Sequence, residues 1–193
     1  MQPLWATTPI ARSVPPGMFR TMPSIAVTVV GHDRPGIVNR VTAAIAELSG
    51  NLEDSSMSLL RGHFAMTLIA DLPDTAAITA LDEALVDLRD EGLSVSVFAV
   101  AEQEQAPPGL TARLSVHGAD RSGIVRAATD EVLAFGGNIT DLSTRLGREL
   151  YVLSAEVTFP PDTDLGAAAT VLTERMADLG VHATLTATDE DLL

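Results

Sequence analysis

An α+β protein built from two similar units is what the sequence predicts, and three observations predict it. The chain repeats itself after 87 residues, each copy alternates strand-like and helix-like apolar periodicities, and each copy closes on a short strand, so that the elements run βαββαβ twice. That order folds as an antiparallel sheet with both helices on one face, the ferredoxin-like arrangement. The repeat organises everything else. Gly31-His32-Asp33-Arg34-Pro35-Gly36-Ile37-Val38 aligns without a gap on Gly118-Ala119-Asp120-Arg121-Ser122-Gly123-Ile124-Val125. The register then persists through Thr42 on Thr129, Gly50-Asn51 on Gly137-Asn138, Asp54 on Asp141, Leu59 on Leu146, Arg61 on Arg148 and Pro73 on Pro160.

Each element has its own signal. Ile25 to Val30 is a β-rich run that stops at Gly31, matched by Thr111 to Val116 before Gly118. Ile37, Val38, Val41, Ile45 and Leu48 then form a helical stripe, echoed by Ile124, Val125, Ala128, Val132 and Phe135. Gly50 and Gly137 stand where a helix takes a left-handed residue after its last turn, and Asn51 and Asn138 open the second strand. In that strand Leu52 has one parity while Met57 and Leu59 have the other, and Ile139 disagrees likewise with Leu142, Thr144 and Leu146, which predicts a bulge near Asp54 and Asp141. A turn at Arg61-Gly62 or Arg148-Glu149 leads to a third strand with Phe64, Met66, Leu68 and Ala70, or Tyr151, Leu153, Ala155 and Val157, on one face. A second helix carries Ile78, Leu81, Leu85 and Leu88, capped by Asp74 or Thr75 and closed at Gly92; Leu165 to Leu179 and Gly180 repeat it. Val95, Val97 and Ala99, and Ala183, Leu185 and Ala187, mark the closing strands. The boundaries that follow are a disordered tail over 1–23, domains over 24–100 and 111–188, a Pro-Pro-Gly linker over 101–110 and an acidic end over 189–193. Met18 and Met22 lie close before the first strand, so the expectation is either a start later than Met1 or a tail that is a tag or cloning remnant.

Composition narrows the function. Of 193 residues, 12 are Lys or Arg and 26 are Asp or Glu, for a net charge of −14, which disfavours direct binding to nucleic acid or to an anionic membrane. No apolar run reaches the ~18 residues of a membrane span, and no secretory signal opens the chain. The absence of cysteine removes disulfides, thiolate metal sites and thiol nucleophiles, and suits a cytoplasmic location. His32, His63, His117 and His182 are dispersed, without the close spacing of a metal site, so neither a metal nor a cofactor is predicted. No nucleophile elbow or phosphate-cradling loop appears, so no catalytic residue is assigned and the protein is not read as an enzyme.

Unusual residue types concentrate in the loop after the first strand. Gly31 permits tight geometry, Asp33 accepts amide hydrogen bonds, and Pro35 suits a helix start whose free N–H groups on Gly36, Ile37 and Val38 can face a carboxylate. Asp33 and Asp120 serve equally as helix caps, in which case Asp33→Ala would cost about 1 kcal/mol. Asn51 and Asn138 either present an amide to a ligand or tolerate a left-handed backbone. Asp54 and Asp141 fit a bulge that needs its backbone satisfied. The order of elements predicts further that Asp33 and Asn51 meet at one end of the sheet and line one pocket.

The pattern G-x-D-R-P-G-I-V at a strand-to-helix turn, followed by G-N-[LI]-x-D, resembles the ACT domain, over residues 24–100 and again over 111–188. The resemblance implies domains that pair side by side, a further homodimer, and a small amino acid held where they meet. It implies ligand roles for Gly31, Asp33, Arg34, Gly36, Ile37 and Asn51 in the first copy, and for Asp120, Ser122, Gly123, Ile124 and Asn138 in the second. Ala119 and Ser122, in place of His32 and Pro35, make the second site differ from the first. Two such domains together are similar to the glycine cleavage system transcriptional repressor family, which implies an amino-acid sensor acting through its assembly or through a protein partner. The same motif opens formyltetrahydrofolate deformylase, but nothing here matches that enzyme's catalytic domain. The alternative is an interaction adaptor whose pockets are vestigial.

Overall fold

A computed structural model describes residues 22–101, 109–147 and 150–188. Residues 1–21 of the tail, most of the linker, the turn at Arg148-Glu149 and the acidic end at Asp189-Glu190-Asp191 lie outside the described residues. The chain divides into two compact units, one on each side of the stretch 102–108.

The first unit comprises β1 (Ser24–His32), α1 (Ile37–Glu47), β2 (Asn51–Leu60), β3 (His63–Asp71), α2 (Thr75–Ala84), α3 (Val86–Asp90) and β4 (Ser94–Ala99). Its sheet has the order β2-β3-β1-β4, antiparallel throughout. The register sets Ile25, Val27 and Val29 of β1 against Ala70, Leu68 and Met66 of β3, so these side chains share one face. They are buried there with Ile37, Val41 and Ile45 of α1 and with Leu81, Leu85 and Leu88 from the second helical segment. The second unit repeats the plan with β5 (Leu110–Gly118), α4 (Ile124–Ala134), β6 (Asn138–Leu146), β7 (Tyr151–Phe159), α5 (Leu165–Asp178) and β8 (Val181–Ala187), in the order β6-β7-β5-β8. Its core joins Ala112, Leu114 and Val116 to Ile124, Val132, Leu172 and Met176. The two α+β units thus have the ferredoxin-like architecture that the periodicities predict.

The parity defect in the second strand is a bulge in both copies. The register slips between Leu52 and Asp54, leaving Glu53 unpaired, and between Ile139 and Asp141, leaving Thr140 unpaired. Asp54 spends its carboxylate on the bulge, accepting from the Ser55 N–H at 2.7 Å. Asp74 and Asp164 are the second-helix caps, each accepting from an N–H three residues on at 3.0 Å.

Two expectations need correction. Gly50 and Gly137 are not the left-handed residues after their helices; that conformation belongs to Ser49 (φ 58°) and Gly136 (φ 72°). Glycine is required at 50 and 137 by packing, since a Cβ at Gly50 would lie 2.9 Å from Ile45 Cγ2 and 3.0 Å from the Ile45 carbonyl oxygen, and one at Gly137 would lie 2.8 Å from Val132 Cγ1. The second helix of the first unit is also broken, at Leu85, whereas α5 is continuous. Between Asp74 and Gly92 there are two more residues than between Asp164 and Gly180, and the break absorbs them. Arg89 holds it open: Nη1 donates to the Asp82 carbonyl at 2.8 Å, taking the acceptor that the Val86 N–H would use in an unbroken helix, while Nε donates to the Val95 carbonyl at 3.0 Å. Ala177 stands at the matching position before Gly180 and offers no such donor. Arg89→Ala is expected to cost about 1–2 kcal/mol in urea unfolding, because a half-buried charged group satisfies two carbonyls; a loss below experimental error would mean that the break is set by chain length alone.

Candidate functional site

The strand-to-helix turn is built the same way in both units. At Gly31 an added Cβ would fall 2.5 Å from Leu93 Cδ2, and at Gly118 one would fall 2.8 Å from Val181 Cγ1, so glycine lets the end of the central strand pass close to the start of β4 or β8. The Asp33 N–H donates to the Gly62 carbonyl at 3.0 Å, tying the loop to the β2–β3 turn. Gly36 and Gly123 stand just before their helices with φ 95° and 93°, a left-handed geometry that glycine adopts at little cost and other residues do not. Their carbonyls accept the first helical bonds, from the Arg40 and Ala127 N–H groups. No acceptor among the described residues serves the N–H groups of Ile37, Val38 and Asn39, or of Ile124, Val125 and Arg126. The Ile37 and Ile124 side chains are in the core, so what these residues offer a ligand is the main-chain amide.

Asp33 and Asp120 do not cap these helices, as neither α1 nor α4 receives a side-chain cap. The cap position falls on the left-handed glycine, three residues beyond the aspartate, and the aspartates stay exposed. Asp33→Ala is therefore expected to change stability by less than about 0.5 kcal/mol. Gly36→Ala forces a Cβ into the left-handed region and is expected to cost about 1–2 kcal/mol. Paired urea titrations check both; an Asp33→Ala loss as large as that of Gly36→Ala would restore a structural role to the carboxylate.

Arg34 is already engaged. Its Nη1 donates to the Glu91 carbonyl at 3.1 Å and its Nη2 pairs with the Glu91 carboxylate, which also takes Arg40 Nη1 at 2.8 and 2.9 Å. A ligand carboxylate would compete with Glu91 for this guanidinium. In the second unit Leu179 and Ala127 replace Glu91 and Arg40, and Arg121 lies over Gly180, its Nε 3.6 Å from where a Cβ would be. Ser122 and Gly123 are exposed beside it. The two loops thus share backbone but not charge.

Asn51 is not beside Asp33. The register pairs Ser24 with Asp71 and Asp71 with Asn51, whereas His32 pairs with His63 and His63 with Leu60. At ~3.3 Å per residue, Asn51 lies roughly 25 Å along the sheet from the loop. The expectation of one pocket within a unit fails because α1 runs back along the sheet before β2 begins. Asn138, opposite Thr158, is at the corresponding far end of the second sheet. Asn51 is extended backbone, not left-handed, and its Nδ2 donates to the Glu53 carboxylate at the bulge.

A feature the sequence reading missed lies on β2 itself. All ten of its residues are exposed, and Leu52, Met57 and Leu59, on the helix side of the sheet, are 41, 54 and 48% accessible because the helices do not extend over the edge. Leu142 and Leu146 of β6 are exposed likewise. Shallow hollows of about 120 and 160 Å³ lie along β2 and β3, one lined by Asp54, Ser56 and Thr67 and the other by Val30, Ser58 and Ala65 among others. The strand therefore mixes serine with large apolar residues on a face that its own unit leaves open.

Among the described residues no helix is long and apolar enough to cross a membrane. The ACT domain family model matches residues 24–97. A UPF0237 protein of Methanopyrus kandleri is 35% identical over 83 residues, 43% of this chain and 90% of that one, and a UPF0237 protein of Methanosarcina mazei is 34% identical over 71 residues, 37% and 77% of the two chains. Among solved structures, an unknown protein from Galdieria sulphuraria superposes with a TM-score of 0.73 at 29% identity, covering 87% of this chain and 99% of its own. A protein provisionally described as a glycine cleavage system transcriptional repressor gives 0.68 at 18% identity, over 88% and 99% of the chains, a likeness of fold.

Proposed function

We propose that this chain, which belongs to the ACT domain family, is a regulatory protein that binds a small amino acid and passes its occupancy on through assembly or through a protein partner. The observation that carries this reading is the glycine at the cap of each first helix, which has no side chain to accept from them and so leaves three consecutive amides of α1 and of α4 without acceptors among the described residues. Aligned amides at the positive end of a helix suit an α-carboxylate. Asp33 or Asp120, free of any capping duty, is available to the ligand's ammonium group.

Asn51 and the loop serve one ligand only when they come from different sheets. An antiparallel strand added to β2 begins beside Leu60, at the loop end, and so carries its own first residues toward Gly31 and Gly36. A second copy joined edge to edge in this way supports a shared site in which the loop takes the carboxylate and the partner strand's asparagine takes a remaining polar group. Ligand then favours the joined state by its differential affinity. With a net charge of −14, any effect on transcription is exerted through a protein partner and not by contact with duplex phosphates.

A thermal-shift screen of the proteinogenic amino acids, with mass measured by light scattering, tests the reading. One amino acid at a hundredfold over its dissociation constant is expected to add about 2.7 kcal/mol of stability, and Gly36→Ala to weaken that gain. If no amino acid stabilises the chain while it still self-associates, the adaptor reading, which the exposed apolar edges favour, takes its place.

A further inference from the structure

The histidines are scattered in sequence but paired in space. His32, at the end of β1, faces His63, at the start of β3, with ring centroids 5.0 Å apart and planes at 33°. His117 on β5 faces His182 on β8 at 5.5 Å and 28°. All four are exposed, and they alternate with core residues of their strands, which places them on the sheet face opposite the helices. The pairs are not counterparts in the repeat, since Ala119 matches His32.

Backbone pairing explains which is tighter. The bond from the Asp33 N–H to the Gly62 carbonyl lies one step beyond His32 and His63, so these two form a non-hydrogen-bonded pair, whose side chains stand closest. The bond from the Thr188 N–H to the Thr111 carbonyl, carried along the alternation, makes His117 and His182 a hydrogen-bonded pair with wider Cα spacing.

We propose that His32 and His63 chelate one divalent transition-metal ion, Cu(II) most strongly. Two imidazole nitrogens at about 2.0–2.1 Å from one ion, at cis angles of roughly 90–110°, place the ring centroids about 4.5–5 Å apart, and the 5.0 Å centroid spacing of His32 and His63 falls within that range. Imidazole suits copper, nickel and zinc, with copper at the top of the affinity order for divalent ions, while magnesium and calcium prefer oxygen. No cluster of three or more histidine and carboxylate groups suited to a metal occurs among the described residues, so the remaining positions stay open to water or to a small chelating ligand. Sequence spacing does not bear on this pair, because the two rings meet across strands, where register and not spacing sets proximity.

The test is copper titration of the full chain, with magnesium in excess to occupy carboxylates, followed by equilibrium dialysis and electron paramagnetic resonance. The wild type is expected to show a tightest equivalent with hyperfine structure from two imidazoles. His63→Gln and His32→Gln should each weaken that equivalent by ~tenfold or more, and His182→Gln should leave it unchanged. Wild-type affinity in either His63→Gln or His32→Gln, or loss of the tightest equivalent in His182→Gln, overturns the assignment and leaves the rings as a tilted surface pair.

Discussion

Leu81→Ala is expected to destabilise the first unit by about 2–5 kcal/mol, and Leu172→Ala the second by the same amount, as the largest stability effects of single changes in this chain. Leu81 is fully buried and Leu172 nearly so, each on the helix that spans the sheet, and truncation leaves a cavity in a core that cannot close it. The two cores have no residue in common, so each substitution should move its own transition in calorimetry. A single transition lowered equally by both would show that the units unfold as one cooperative body. That result would place strong coupling where the separate cores alone provide none.

Met57→Lys combined with Leu59→Lys is expected to abolish the edge-to-edge self-association proposed above, halving the mass that light scattering would report for such a dimer at concentrations of ~50 µM. Lysine protects an unpaired strand edge by placing a charge where a second strand would bury it. Both side chains are already half exposed, so the unit's own stability should move by no more than about 0.5 kcal/mol. The changes also separate assembly from the loop, because Gly31, Asp33 and Gly36 are untouched. If the mass is unchanged, or if the wild type is already monomeric, β2 is not the assembly edge and Asn51 has no route to the loop.

Much of the fold was legible because its signals are short-ranged. A helical stripe, an alternating strand and a cap each depend on residues within four positions of one another, and the 87-residue repeat supplied every signal twice. The bulge was visible for the same reason: inserting one residue reverses side-chain parity, and the reversal shows between Leu52 and Met57 and between Ile139 and Leu142. The glycines of the loop were legible as special positions, though their separate reasons were not, since a positive φ at Gly36 and a close approach of Leu93 to Gly31 leave the same letter in the chain.

What the sequence by itself determined is the architecture: two βαββαβ units, their elements, their bulges and the loops that begin their first helices. What only the tertiary structure decided is which residues meet. Glu91 takes Arg34 and Arg40, Arg89 breaks a helix by reaching Asp82, His32 meets His63, and Asn51 is carried to the far end of the sheet from Asp33. The physical reason is common to all four. Local periodicity records the face a residue points to, whereas its neighbours across strands are set by register and by the direction in which each connecting helix returns, and neither leaves a mark within a few residues of the site it creates.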